Sequence, residues 1–257
     1  MFALGRNGSG TLTGFEALVR WQHPQDGDIR PGAFLPIAEE SGLMLKLTDF
    51  VLHCACRQLR LWQQSDPQWA KLSMNVNVSG PDIAHPAFLA RVTRAIVEAG
   101  IQPAQLCIEL TENILMSRLE GALPVLLELR RLGVTLAIDD FGTGYSSLSH
   151  LSTLPIDSLK IDRSFVSRID SGSKEAAVVH SIVLLGSSLG KQVVAEGIET
   201  EEQLRHLQDM GCGFGQGFFL SRPQAPADIS LLLTALQFFA PAPESDWVPT
   251  QTATTMH

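Results

Sequence analysis

The chain has 257 residues, with 19 basic and 27 acidic side chains, a formal net charge of −8, 45% hydrophobic and 18% charged residues. That composition can bury a large core and is too apolar for a disordered chain; the acidic balance argues against tracking a long nucleic-acid backbone, where affinity comes from Lys and Arg against phosphates. No apolar run approaches the roughly 18 to 20 residues that span a bilayer, and the N-terminal MFALGRNGSG lacks a signal-peptide apolar core, so a cytoplasmic location is expected.

In chain order, short apolar runs alternate with longer amphipathic ones, the pattern of βα units. The strand-like runs are Gly14–Trp21, Leu72–Val78, Leu106–Leu110, Val134–Ile138, Ser158–Ile161, Gln192–Ala195 and Phe214–Leu220. Helix-like stretches separate or follow them: Lys46–Gln64, Phe88–Ala99, Leu119–Leu132, Lys174–Leu189, Thr200–Met210 and Ala227–Phe239. Thr200 to Gln203 reads as a capping box, and Gly100, Gly133 and Gly211 sit where helices should stop. Seven strands over about 250 residues predict a TIM-like (β/α)8 barrel, with a doubly wound open sheet as the alternative. The eighth strand is expected to survive only as the stub Phe2–Leu4, a truncated first strand. Residues 1–240 are expected to form one barrel domain and 241–257 a loose tail.

The four cysteines (Cys54, Cys56, Cys107, Cys212) form no CxxC pair. Cys54 and Cys56, two apart on a helix, point apart, and all four are expected as reduced core thiols. The seven histidines have no helical metal-binding spacing.

The informative residues stand at the strand ends. Glu16 lies in the first full run, Asn77 ends the second, Glu109 the third, Asp139 and Asp140 the fourth, Lys160 the fifth and Glu196 the sixth, with Gln216 in the seventh. In such barrels the chemistry sits at the C-terminal face. Five carboxylates converging there must take up protons or hold cations, and oxygen donors without His or Cys suit Mg²⁺ or Mn²⁺. The adjacent Asp139-Asp140 pair suits two ions bracketing a nucleophilic water in phosphodiester hydrolysis, with Lys160 orienting that water or the leaving oxygen and Glu196 accepting the water's proton. The segment Phe141–Ser147 (FGTGYSS) is glycine-rich without a phosphate-loop lysine, so a lid or an interface suits it better than a nucleotide cradle. A glycosidase using two of the acids is the reserve reading; Asn77, Lys160 and the excess of carboxylates favour metals.

Taken together, GFEALVRWQHP, FLPIAEESGLM, NVNVS, IELTE, IDDFGTGYSSLSHLSTLPIDSLKID, VVAEGIET and GQGFFLSRP, in order from about Gly14 to Pro223, resemble the EAL family of cyclic-di-GMP phosphodiesterases. The resemblance implies hydrolysis of cyclic-di-GMP to linear pGpG with two Mg²⁺ or Mn²⁺ ions. It matches Glu16, Asn77, Glu109, Asp139, Asp140 and Glu196 to metal ligands, and Lys160 and Glu196 to the water-contacting lysine and the general base. Arg20 matches a phosphate contact, Gln216 a substrate-site glutamine, Glu112 the brace of the glycine-rich loop and Glu199 a supporting acid. It also implies a homodimer through the loop and helix after Asp140, and an upstream sensory or GGDEF domain in a longer parent protein, which could be membrane-anchored. The rival within the family is a domain without turnover, serving as a cyclic-di-GMP receptor or interaction module. The family's upstream helix and Gln-Pro strand have no counterpart before Glu16, so weaker barrel closure and weaker guanine binding are expected.

Overall fold

The structure, a computed structural model, describes residues 2–7, 10–117, 119–144, 148–170 and 172–236. The strands are β1 (Phe2–Asn7), β2 (Leu12–Ala17), β3 (Trp21–His23), β4 (Gly27–Ile29), β5 (Ser73–Asn77), β6 (Leu106–Thr111), β7 (Thr135–Phe141), β8 (Ser158–Ile161), β9 (Gln192–Ala195) and β10 (Phe214–Gly215). The helices are α1 (Pro31–Glu40), α2 (Met44–Ser65), α3 (Gly80–Ala84), α4 (Phe88–Ala99), α5 (Glu112–Ser117), α6 (Leu119–Leu132), α7 (Leu148–Thr153), α8 (Arg163–Val166), α9 (Lys174–Ser188), α10 (Glu201–Asp209) and α11 (Pro226–Leu236).

Eight strands close a barrel in the order β1-β10-β9-β8-β7-β6-β5-β2, and β3 and β4 form a separate hairpin. From β2 through β5 to β10 the strands are parallel; β1 runs antiparallel to both of its neighbours. The expected stub is thus a six-residue strand. Five residue pairs join it to β2, but only Arg6↔Gly215 and Asn7↔Phe214 join it to β10, which makes this the shortest seam with β10–β9. Two of the strand-like runs differ most from the sequence reading. Gly14–Trp21 is split, because the chain leaves the barrel after Ala17 and Trp21 opens the hairpin; the Phe214–Leu220 run is extended only at Phe214–Gly215. In both, apolar residues beyond the barrel rim lengthened the run without pairing. The expected tail 241–257 and Tyr145–Ser147 lie outside the described residues.

Period-2 alternation decides what faces where. Phe15, Met74, Val76, Ile108, Leu136, Ile138, Leu159 and Ile161 point outward into the helical layer and are buried there. Phe15 packs on Trp62 of α2 with ring centroids 4.5 Å apart, and Leu52, Ala55, Cys56 and Leu59 extend the same helical stripe. The alternate residues point into the barrel and are small or polar. Towards the N-terminal end Ser73, Asn75, Cys107, Thr135 and Ser158 line a cavity of about 650 Å³, where barrels more often stack bulky branched side chains. The other end of the barrel carries the acid cluster.

Candidate active site

Lys160 is 1% exposed, on the inward face of β8. Its Nζ lies 2.6 Å from Glu196 Oε1, 2.7 Å from Glu109 Oε1, 3.4 Å from Glu16 Oε2 and 3.5 Å from Asp139 Oδ1. Strand register explains the convergence: Asn77 pairs with Glu109, and Lys160 lies beside Val194, two residues before Glu196. The parallel strands thus bring inward polar side chains to neighbouring levels near their C-terminal ends.

Amides fill the gaps between the acids. Asn77 Nδ2 donates to Glu16 Oε1 at 2.8 Å, and Gln216 Nε2 reaches Glu16 Oε2 and Glu196 Oε1, each at 2.7 Å. Gln216 is held by backbone pairing beyond β10: its N–H donates to Ala195 O at 2.8 Å and its carbonyl accepts from Ile198 at 3.1 Å. Gly217 must be glycine here, because a Cβ would stand 2.2 Å from both the N and the O of Ile198.

Asp139 and Asp140 owe their position to a break in the β7–β8 ladder, whose register shifts between Ile138 and Phe141. Asp140 has φ 54°, the one positive-φ non-glycine residue among those described, and left-handed backbone at a carboxylate is strain stored in the site. The break turns Asp140 away from Lys160 and towards Asp162, whose negative charge helps raise its pKa. Asp162 also caps α8, accepting from the Ser164 N–H at 2.9 Å. Sequence reasoning missed Asp162; its place two residues after Lys160 on the same strand exit was the available signal.

The electrostatics divide the acids into two sorts. Burial alone would push Glu16 up, but the Lys160 charge and hydrogen bonds from Gln216 and Asn77 bring it below the usual carboxylate range. Glu109 is driven the other way: burial, aided by Glu16, Asp139 and Glu196, outweighs Lys160 and raises it well above that range. Burial likewise pushes Glu196 up to about 8 against the pull of Lys160, with Asp139 and Glu16 adding to the rise. Asp140 is raised to about 6 by burial and by Asp139 and Asp162. For Lys160 the carboxylates overcome a desolvation cost and hold it well above its ordinary value. One cation therefore under-neutralises five acids.

Two observations bear on a metal. Among the described residues no three His, Cys, Asp or Glu side chains are arranged to grip one ion directly, because the acids are drawn in around Lys160. Glu109 Oε2, however, is buried and has no hydrogen-bond partner. A bare carboxylate oxygen costs several kcal/mol of lost solvation unless something positive meets it. With donors that are all oxygen, the set fits hard divalent cations.

Around this cluster Glu112, 1% exposed, accepts from the N–H groups of Gly142 (2.9 Å) and Gly144 (3.2 Å), bracing the loop after Asp140. A Cβ on Gly144 would lie 2.8 Å from Glu112 Oε1. Glu199 stands on the rim and pairs with Arg163 at 2.8 Å. Arg20 is not brought into the cluster: its guanidinium donates to Val19 O at 2.7 Å and lines a crevice against Phe50 and Cys54 of α2. A second crevice of about 150 Å³ opens above the acids, lined by Glu16, Glu196, Gln216, Arg163 and Phe218.

The family model described as the EAL domain matches residues 6–223. The bifunctional diguanylate cyclase/cyclic di-GMP phosphodiesterase MucR of Pseudomonas aeruginosa is 44% identical over 220 residues, 86% of this chain and 32% of that protein. The cyclic di-GMP phosphodiesterase NbdA of the same organism is 39% identical over 91% of this chain and 30% of its own length. The chain thus spans about a third of the curated relatives it matches. The solved structure of the PaMucR phosphodiesterase in complex with c-di-GMP superposes with a TM-score of 0.85 at 41% identity, covering 89% of this chain and 92% of that one. With its barrel, its acid cluster and these matches, the chain belongs to the EAL domain family.

Proposed function

We propose that this domain is a metal-dependent phosphodiesterase that hydrolyses one phosphodiester of cyclic-di-GMP to give linear pGpG. The observation that carries the reading is the Lys160-centred cluster at the C-terminal end of the barrel, in which Glu16, Glu109, Asp139 and Glu196 surround the lysine and the amides of Asn77 and Gln216 bridge the acids. The relatives named for this activity, and the solved complex with c-di-GMP, support the substrate.

Glu16, Asn77, Glu109, Asp139, Asp140 and Glu196 would hold two divalent cations, Mg²⁺ or Mn²⁺, which when bound activate water and neutralise charge on the phosphate. The chain's own groups do the rest. Lys160 Nζ, fixed by Glu109 and Glu196, orients the attacking water. Glu196 accepts the proton as the water oxygen bonds to phosphorus. The P–O3′ bond breaks, the 3′-oxygen takes a proton from solvent water to leave as a hydroxyl, Glu196 returns its proton to solvent, and the product keeps a 5′-phosphate. Gln216 aligns Glu16 and Glu196 and borders the substrate crevice; Arg20 would reach the second phosphate only by leaving Val19 O. Glu112 keeps the glycine-rich loop seated, and Glu199 holds Arg163 on the rim.

Residues 1–240 form the catalytic domain and 241–257 a tail outside it. In the working protein it pairs with a second copy through the loop and α7 after Asp140, follows a sensory or GGDEF domain, and works in the cytoplasm. No helix of the described residues is long and apolar enough to cross a membrane. The test is chromatography of cyclic-di-GMP incubated with purified protein and Mn²⁺, with and without EDTA. Metal-dependent pGpG is expected. Intact dinucleotide bound without turnover would make the domain a receptor, and EDTA-resistant hydrolysis would overturn the metal reading.

A further inference from the structure

Asn75 lies one inward step below Asn77 on β5, in register with Glu16 on β2 and Cys107 on β6. Its Nδ2 donates to Glu109 Oε1 at 2.7 Å, and Lys160 Nζ meets the same oxygen at 2.7 Å. Both donors therefore sit on Oε1, while Oε2 is buried without a partner. We infer that Asn75 is a positioning residue that fixes Glu109 from beneath, so that its bare Oε2 is presented to a divalent cation. The inference rests on the metal reading of the site given above.

The physical case has three parts. Lys160 divides its charge among four carboxylates, whereas the Asn75 amide has Glu109 as its hydrogen-bond partner among the described residues. With one donor the carboxylate can turn about its terminal torsion, which is soft and roughly two-fold; a second donor on the same oxygen fixes the plane. The donor must also be neutral: an acid would add another negative charge to an under-neutralised cluster, and a cation would compete with the metal. Below Asn75 lies the polar cavity of about 650 Å³ that it helps line, so the amide forms the floor between that space and the acids. Removing it would open Glu109 to solvent from below. Such supporting partners of metal ligands commonly contribute 10- to 100-fold in metal affinity.

The experiment is Mn²⁺ titration of the full chain by calorimetry and by electron paramagnetic resonance of free Mn²⁺, on wild type, Asn75→Leu and Asn75→Ser. Leucine keeps the branched shape and removes the donor; serine keeps a small polar group like its neighbours Ser73 and Ser158 but cannot reach Glu109. Melts in EDTA report folding, so if the leucine variant does not fold the serine variant carries the test. The expected result is Mn²⁺ affinity weakened about 10- to 100-fold, turnover recovered at saturating Mn²⁺, and KM for cyclic-di-GMP changed less than threefold. Folded variants that bind Mn²⁺ as wild type does would overturn the inference and leave the phosphodiesterase reading standing. Wild type that binds neither Mn²⁺ nor Mg²⁺ would overturn both.

Discussion

Replacing Lys160 by methionine removes a charge at nearly constant volume, in a side chain that is 1% exposed and ringed by four carboxylates within 3.5 Å. No cavity results, so the cost is electrostatic. Removing one partner of a buried ion pair typically costs 3–5 kcal/mol, because the other is left uncompensated. With an unfolding entropy of roughly 2 cal/mol/K per residue over 257 residues, that loss lowers Tm by about 6–9 °C. The assay is a thermal melt in EDTA at pH 8, repeated at pH 5 and in millimolar Mn²⁺. Glu196 is raised to about 8 from an ordinary 4.5, so the folded state holds a proton that the unfolded state releases. Its stabilising contribution is whole below pH 4.5 and fades as pH rises through 8. At pH 5 the acids of the variant can take up protons in place of the ammonium, and the gap to wild type should shrink. Mn²⁺ should shrink it at pH 8 by supplying the missing positive charge. An equal loss under all three conditions would mean that Lys160 acts by packing alone, and would refute the reasoning.

Three further outcomes follow from the geometry. Asp140→Asn keeps a residue that tolerates φ 54° and removes a charge raised to about 6; in EDTA at pH 8 it should gain about 1 kcal/mol after allowance for solvent screening, or about 2 °C in Tm, while hydrolysis falls at least about 100-fold. A lower Tm would contradict the assigned repulsion. Gly217→Ala drives a Cβ into the Ile198 backbone and should cost about 1–3 kcal/mol, with turnover reduced through Gln216; a wild-type melt and rate would show that the segment yields freely. Of the four thiols only Cys54 is exposed, while burial pushes Cys56 and Cys107 up to about 12 and Cys212 up to about 11. Ellman's reagent at pH 8 should therefore titrate one equivalent natively and four in guanidinium, and two or more fast native equivalents would break the burial argument.

Helices Phe88–Ala99 and Leu119–Leu132 and strands Ser158–Ile161 and Gln192–Ala195 coincide with the sequence reading, because their ends carry local signals. Gly100 takes the left-handed cap after α4, and Thr200 with Gln203 forms the capping box of α10. The acids were legible for a related reason: a carboxylate at the end of an apolar run has few structural uses. What stayed hidden depends on partners distant in sequence. β1 is a short run with a glycine, an arginine and an asparagine at its end, and only its pairing with β2 and β10 makes it a strand. Asn75 looks like any polar residue alternating along β5 until Glu109, 34 residues away, is placed beside it. The turn of Asp140 follows from a ladder break that no local pattern announces.

Charge along the barrel axis follows one rule. The inward strand positions of the N-terminal half are neutral donors and small groups, among them Ser73, Asn75, Thr135 and Ser158; Glu16 shares the level of Asn75, and the other acids lie above it. A cation built in at the lower level would satisfy the acids permanently and leave no affinity for an exchangeable metal; an apolar layer would leave Glu109 without the neutral donor it takes from Asn75. Neutral dipoles lie between those limits, since they orient carboxylates without cancelling their charge. Lys160 is the single exception, and its 2.6–3.5 Å contacts to four acids leave most of the negative charge unmet. The polar floor and the lone lysine together leave the cluster short of positive charge, the condition that the proposed binding of divalent cations requires.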